Sequence, residues 1–213
     1  MTLVLALAGA SQAASRAKDL NTLIDGVDRT FASMKDFSAD FVQISTISVN
    51  QTQEDEGHLY LTRDRKMRWE YRKTEVKLFI SNGKTLYSYF PLDREVGTEQ
   101  VKNSMADRFP MMFLVGKAGL RNDFNFAEVK QAPLFAGNRV IQLKPIKKNE
   151  DIQRIEIEVN PRTSLIDRMV ILGTDQSRNE IIFMKIKINT NIPASKFEFT
   201  VPPGVKVVQG ASQ

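Results

Sequence analysis

Hydrophobic and polar residues alternate with a period of two through most of this chain, and follow a helical period only near its start. Leu20, Leu23, Ile24, Val27, Phe31 and Met34 recur at helical spacing, with Arg16, Lys18, Asp25 and Arg29 off the stripe. That spacing predicts one amphipathic helix. Beyond it the alternation predicts strands over residues 41–49, 56–62, 67–71 and 95–101, then 124–129, 139–145, 155–159, 165–172 and 181–188. Met67, Trp69 and Tyr71 share one face of their strand and Arg68, Glu70 and Arg72 the other. Ile155, Ile157 and Val159 oppose Arg154, Glu156 and Glu158, while Ile182, Met184, Ile186 and Ile188 oppose Phe183, Lys185 and Lys187.

Asn82-Gly83 is a strong hairpin signal, because both residues tolerate the positive φ of a type I′ turn. A turn centred there pairs Ile80 with Thr85, Leu78 with Tyr87 and Val76 with Tyr89. Residues 104–119 break the strand pattern. Met105, Phe109, Met112, Phe113 and Val115, with Pro110 among them and Gly116 and Gly119 at the end, predict one or two helical turns between two halves of a sheet. A last short strand is marked by Phe197, Phe199 and Val201 before Pro202-Pro203-Gly204. The prediction is a mainly β (α+β) domain in which about eleven antiparallel strands form a strongly curved sheet or open barrel.

With 213 residues and no internal repeat or linker, a single domain is expected. Thirty Lys and Arg against 25 Asp and Glu give a formal charge of +5, which favours acidic partners or anionic surfaces without choosing among them. The absence of cysteine excludes disulfides, thiol catalysis and a lipid-modified N-terminal cysteine in these residues. Leu3 to Ala8 form a short apolar run followed by Ser11-Gln12-Ala13, which reads as an export signal over residues 1–13 and a single domain over 14–213. No basic residue precedes the run, which suggests a truncated start; the alternative is that residues 1–13 extend the first helix.

Catalytic chemistry is not legible. The one histidine, His58, faces away from Leu59 and Leu61 by parity and reads as a solvent-side residue. Glu54-Asp55-Glu56 reads as a solvated turn, and no phosphate-binding, dinucleotide or nucleophile-elbow motif occurs. The expectation is therefore no enzyme, no metal and no cofactor. Arg65, Lys66, Arg68, Arg72, Lys73 and Lys77 form a basic outer face. The aromatic residues lie on the opposite face, which argues against a nucleic-acid-binding sheet.

The segments Phe37-to-Gln43, Gly57-to-Arg63, Met67-to-Tyr71, Ile80-to-Tyr87, Pro110-to-Val115, Phe197-Glu198-Phe199 and Pro203-Gly204-Val205 together resemble the LolA family, periplasmic carriers of outer-membrane lipoproteins. The resemblance implies a single unclosed antiparallel β-barrel covered by a helical lid and enclosing a hydrophobic cavity for acyl chains. It implies lipoprotein cargo, receipt from an inner-membrane LolCDE-type ABC transporter, delivery to an outer-membrane LolB-type acceptor, a periplasmic location and a monomer. The candidate cavity residues are Leu59, Leu61, Met67, Trp69, Leu78, Ile80, Tyr87, Met111, Met112 and Phe113, where flexible and aromatic groups suit varied chains. Arg63 corresponds to the family's lid-holding arginine, bonded to helix carbonyls when the lid is closed; by parity it shares the face of Leu59 and Leu61. Asp64 stands where the family commonly has proline, either to pair with that arginine or to loosen the turn. The alternative of the same fold is a periplasmic lipid- or lipoprotein-sensing regulator, or a general lipid-binding protein.

Overall fold

A computed structural model of the protein describes the backbone at residues 4–48, 51–101 and 120–209, and their side chains except at 4–17, 47 and 48. Helix α1 (Val4–Ser33) leads into two successive meanders. The first comprises β1 (Asp36–Ser48), β2 (Gln51–Thr62), β3 (Lys66–Tyr71), β4 (Lys77–Asn82), β5 (Thr85–Phe90) and β6 (Glu95–Gln100). The second follows a one-turn helix α2 (Leu120–Asp123), with β7 (Phe124–Glu128), β8 (Arg139–Pro145), β9 (Ile152–Val159), β10 (Ile166–Gly173) and β11 (Arg178–Ile188). A 3-10 turn (Ala194–Phe197) and β12 (Lys206–Gln209) complete the described chain.

All twelve strands among the described residues lie in one sheet of order β12-β6-β5-β4-β3-β2-β1-β11-β10-β9-β8-β7. Each meander pairs nearest neighbours, so short turns suffice within it. The two are joined through the long strands β1 and β11, and the sheet remains open between β7 and β12.

One face of the sheet, the inner face, packs on α1. Leu23, Ile24, Val27, Phe31 and Met34 from the helix enter one core with Phe37, Phe41, Leu59, Leu61, Met67, Trp69 and the isoleucines of β8–β11. The predicted stripe is therefore the packed stripe. Gly26 lets α1 approach the β9–β10 turn, since a Cβ there would lie 2.5 Å from Ser164 Oγ. Gly57 does the same within the sheet: a Cβ would collide with the backbone carbonyl of Glu70 and lie 2.9 Å from Phe41 Cε1.

Three expectations are corrected. The turn at Asn82-Gly83 centres one residue later, on Gly83 and Lys84, so Ile80 pairs with Tyr87 and Leu78 with Tyr89. Only Gly83 has a positive φ (90°), while Asn82 Oδ1 accepts from the amides of Lys84 and Thr85, each at 2.9 Å. The side chain caps the turn, which removes the need for a second left-handed residue.

The second correction concerns β11. Lys185 and Ile186 both stand opposite Ala39 of β1, a bulge with Lys185 at φ 52°. The extra residue inverts parity. Before it, Ile181 and Phe183 face inward; after it, Ile186 and Ile188 do, and Met184 is left exposed on the outside. The third concerns Phe197 to Val201, which form no strand. Pro202 and Pro203 have no amide to donate to a ladder, and the segment instead crosses the outer face. The strand comes after them, as β12, parallel to β6.

Candidate functional site

Leu59, Leu61, Met67 and Trp69 are brought together on the inner face, each no more than 2% exposed. The pairs Leu59–Trp69 and Leu61–Met67 are direct cross-strand neighbours. Phe41 packs edge-on to Trp69 at 5.3 Å and to Tyr71 at 5.2 Å, and Phe37 meets Phe183 at 6.0 Å. These phenylalanines complete the floor, although they are not among the sequence-predicted cavity residues. Their signal is the same two-residue spacing, Phe37, Ala39 and Phe41, at the start of β1.

Leu78, Ile80 and Tyr87 are on the other face, in register with Glu70, Arg68 and each other rather than with Trp69. There Tyr87 and Tyr89 pack against Phe199 at 5.4 and 5.5 Å, and Phe197 is buried beside the outer side of β3 and β4. These residues form a separate small core under the C-terminal segment. The unbroken apolar run Leu78-Phe79-Ile80 signals a strand buried on both sides, and Phe79 is its inner-facing member. Met111, Met112 and Phe113 lie outside the described residues.

Arg63 stands one residue beyond β2, at the edge of the inner face, and is exposed. Its guanidinium donates to two carbonyls at the C-terminal end of α1, Nε to Met34 O at 3.2 Å and Nη2 to Ala32 O. Those carbonyls lack helical partners and carry the negative end of the helix dipole, so a cation is favoured there. The placement differs from a cation buried among leucines, and no burial cost has to be offset. Asp64 does not pair with Arg63. It accepts from Thr62 Oγ1 at 2.5 Å and meets Lys66 Nζ at 2.7 Å; some burial raises its carboxyl, but these two contacts together hold it below the usual range. A hollow of about 400 Å³ opens beside Ala32, Ser33, Lys35, Arg63 and Asp64.

Further contacts tie the described part of α1, and the start of β1 after it, to neighbouring segments. The buried Asp36 carboxylate accepts from Thr190 N (2.8 Å), Thr190 Oγ1 (3.1 Å) and Asn191 N (2.9 Å), clamping the start of β1 to the chain beyond β11. Toward the N-terminus, Asp25 Oδ1 accepts from Arg121 Nη2 at 2.7 Å and Asp28 Oδ1 accepts from Leu120 N at 2.7 Å. Asp19 meets Arg139 at 2.7 Å. The helix thus lies on the apolar face with polar ties at its margins.

On the outer face His58 Nδ1 is 2.6 Å from Asp40 Oδ1, and Lys185 Nζ is 2.9 Å from Asp40 Oδ2. Lys185 first and His58 second hold the Asp40 carboxyl below its ordinary value. His58 therefore lies outside the apolar site, as parity indicates. Lys77, read as part of the basic outer face, is instead on the inner face, in register with Tyr71.

The sequence pattern of the family described as "Outer membrane lipoprotein carrier protein LolA" matches residues 32–200, which includes every described strand but β12. The chain belongs to the LolA family. An outer-membrane lipoprotein carrier protein of Pseudoalteromonas translucida (strain TAC 125) is 28% identical over 208 residues, covering 97% of this chain and 94% of its own. One from Azotobacter vinelandii is 28% identical over 210 residues, covering 97% of each. A solved structure, an uncharacterized conserved protein from Thermus thermophilus, aligns with a TM-score of 0.57 at 12% identity over 90% of this chain and 99% of that one. That likeness is one of fold. The open twelve-stranded sheet is accordingly the LolA-family architecture in this chain.

Proposed function

We propose that this protein is a periplasmic chaperone that shields the acyl chains of lipoproteins on their way from the inner to the outer membrane. The observation that carries the reading is the family match over residues 32–200. Physical support comes from the inner face, where an apolar floor is covered by a helix whose margins are held by polar contacts. A long acyl chain carries roughly 10 kcal/mol of transfer free energy, so a carrier must exclude water from it and still release it.

Leu59, Leu61, Met67 and Trp69, with Phe41, are the assigned chain-contacting surface. Because these residues are sealed in the present state, loading requires α1 to move. Arg63 is the assigned latch: its bonds to Ala32 and Met34 break when α1 lifts and re-form when cargo leaves. Residues 1–13 are assigned as the export signal. An inner-membrane ABC transporter complex is the assigned donor and an outer-membrane acceptor the assigned recipient. The assigned activity is carriage, not catalysis.

The decisive experiment incubates the mature protein with cognate spheroplasts and ATP. A soluble complex containing an acylated lipoprotein, dependent on both this protein and ATP, is expected. A folded protein that binds lipid yet releases no lipoprotein would overturn the carrier reading in favour of a lipid sensor.

A further inference from the structure

The inner face is not apolar along its whole length. The row that runs Leu61, Leu59, Gly57 along β2 continues to Asp55, which is 4% exposed and in register with Gln43 of β1. Next to it on the same face, Tyr71 of β3 is in register with Lys77 of β4. Lys77 Nζ lies 3.8 Å from Asp55 Oδ2 and 4.7 Å from the centroid of the Tyr71 ring. The Tyr71 hydroxyl donates to Gln43 Oε1 at 2.6 Å, and Gln43 Nε2 donates to Asn179 Oδ1 at 3.0 Å. Polar groups from several neighbouring strands therefore meet at the end of the face remote from Arg63.

One member of this cluster is unfinished. Asp55 Oδ2 accepts from Gln53 Nε2 at 2.9 Å, but the buried Oδ1 has no hydrogen-bond partner among the described residues. A cluster that served packing alone would close its own hydrogen bonds, since an orphaned buried acceptor is destabilising. The open position belongs to a carboxylate, so it takes a hydrogen-bond donor, most strongly a cationic N–H. The Tyr71 hydroxyl is already committed to Gln43, and burial together with the charge of Asp55 pushes its ionisation upward, which keeps it a neutral donor.

We infer that Asp55 and Lys77, braced by Tyr71 and Gln43, form a head-group subsite for the nitrogen-bearing acylated N-terminus of a polypeptide whose chains lie along the adjoining apolar floor. The inference deepens the carrier reading and rests on it. Asp55 Oδ1 accepts from the amine or amide nitrogen of the acylated residue, and Lys77 donates to an ester carbonyl. From Asp55 to Arg63 the strand spans about 26 Å at ~3.3 Å per residue. That exceeds the roughly 15 Å of hydrocarbon in one membrane leaflet, so a chain has room between subsite and latch.

The test compares binding of two probes, a synthetic dipalmitoylated cysteinyl peptide with a free α-amine and dipalmitoylglycerol, which has the esters but no nitrogen. The wild type is expected to prefer the lipopeptide by about tenfold or more, the scale of one charge-assisted hydrogen bond. Asp55→Asn is expected to remove most of that preference while leaving dipalmitoylglycerol binding unchanged. Asp55→Leu, which adds apolar area to an apolar face, carries the same comparison if Asp55→Asn folds poorly. Equal binding of the two probes by the wild type, or an undiminished preference in the variants, would overturn the subsite while leaving the carrier reading standing. Binding of neither probe by folded wild-type protein would overturn both.

Discussion

Lys185 Nζ reaches Asp40 at 2.9 Å because Lys185 is the extra residue of a bulge, held at φ 52° in the middle of β11. The ion pair is exposed, so its own contribution is small. What matters is the parity: if Lys185 took a regular strand position instead of bulging, Ile186 and Ile188 would point outward and the charged Lys187 inward.

Lys185→Gly and deletion of Lys185 should consequently both be tolerated, while Lys185→Val should not. Glycine adopts the left-handed conformation freely, so Lys185→Gly is expected to keep a urea midpoint close to that of the wild type. Deletion leaves a plain alternation that keeps Ile186 and Ile188 inward and is expected to move the midpoint little. Lys185→Val, by contrast, puts a β-branched residue at a positive φ and is expected to cost about 1–2 kcal/mol. A Lys185→Val variant as stable as the wild type would show that β11 does not need a left-handed residue there.

Arg63→Leu should leave the sheet intact and loosen the end of α1. Two carbonyls lose a charged donor at a helix C-terminus, a loss of about 1 kcal/mol. Amide hydrogen exchange is expected to rise at residues near the helix end, while protection in β1 and β2 stays unchanged. Lipoprotein release from spheroplasts should change in the same variant. If both exchange and release match wild type, Arg63 is an ordinary strand-end arginine.

Trp69 reports on loading, being the single tryptophan and lying on the sealed floor against Phe41. Saturation with an acylated ligand is expected to shift its emission, and Phe41→Ala to change the size of the shift. A tryptophan that stays silent at saturation would place the acyl chains elsewhere.

Acid should loosen the second meander. Burial pushes the Glu180 carboxyl up, but Arg168 at 2.5 Å and Arg178 at 2.6 Å outweigh it, leaving the group below its ordinary value of 4.5. A carboxyl depressed in the folded state binds protons more readily when unfolded. The stabilisation is therefore complete above about pH 4.5 and fades as pH falls through the lowered value. The urea midpoint is expected to drop below about pH 4.5, and Glu180→Gln to lower stability by about 1 kcal/mol at neutral pH while flattening the acid drop. The same slope in both proteins would exclude Glu180 as a source of acid sensitivity.

The sequence by itself determined what is local. The helical stripe from Leu20 to Met34, the inward row Met67, Trp69 and Tyr71, and the isolation of His58 from the apolar face all follow from periods of 3.6 and two, which each residue reads from its neighbours. The tertiary structure alone decided what depends on partners far along the chain. Asn82-Gly83 announced a hairpin, but a side-chain cap shifted its centre by one residue, and the pairing of β4 with β3, Ile80 with Arg68 and Leu78 with Glu70, put Leu78, Ile80 and Tyr87 on the other face. The bulge at Lys185 exists only opposite Ala39 of β1, far away along the chain, so no short window of sequence contains both. The polar end of the inner face is of the same kind. Asp55 reads as part of a solvated acidic turn and Lys77 as an outer-face cation, and only the pairing of β1, β2, β3 and β4 buries them side by side. Alternation is set within a strand, whereas register is set between strands, and a shift of one residue exchanges the two faces.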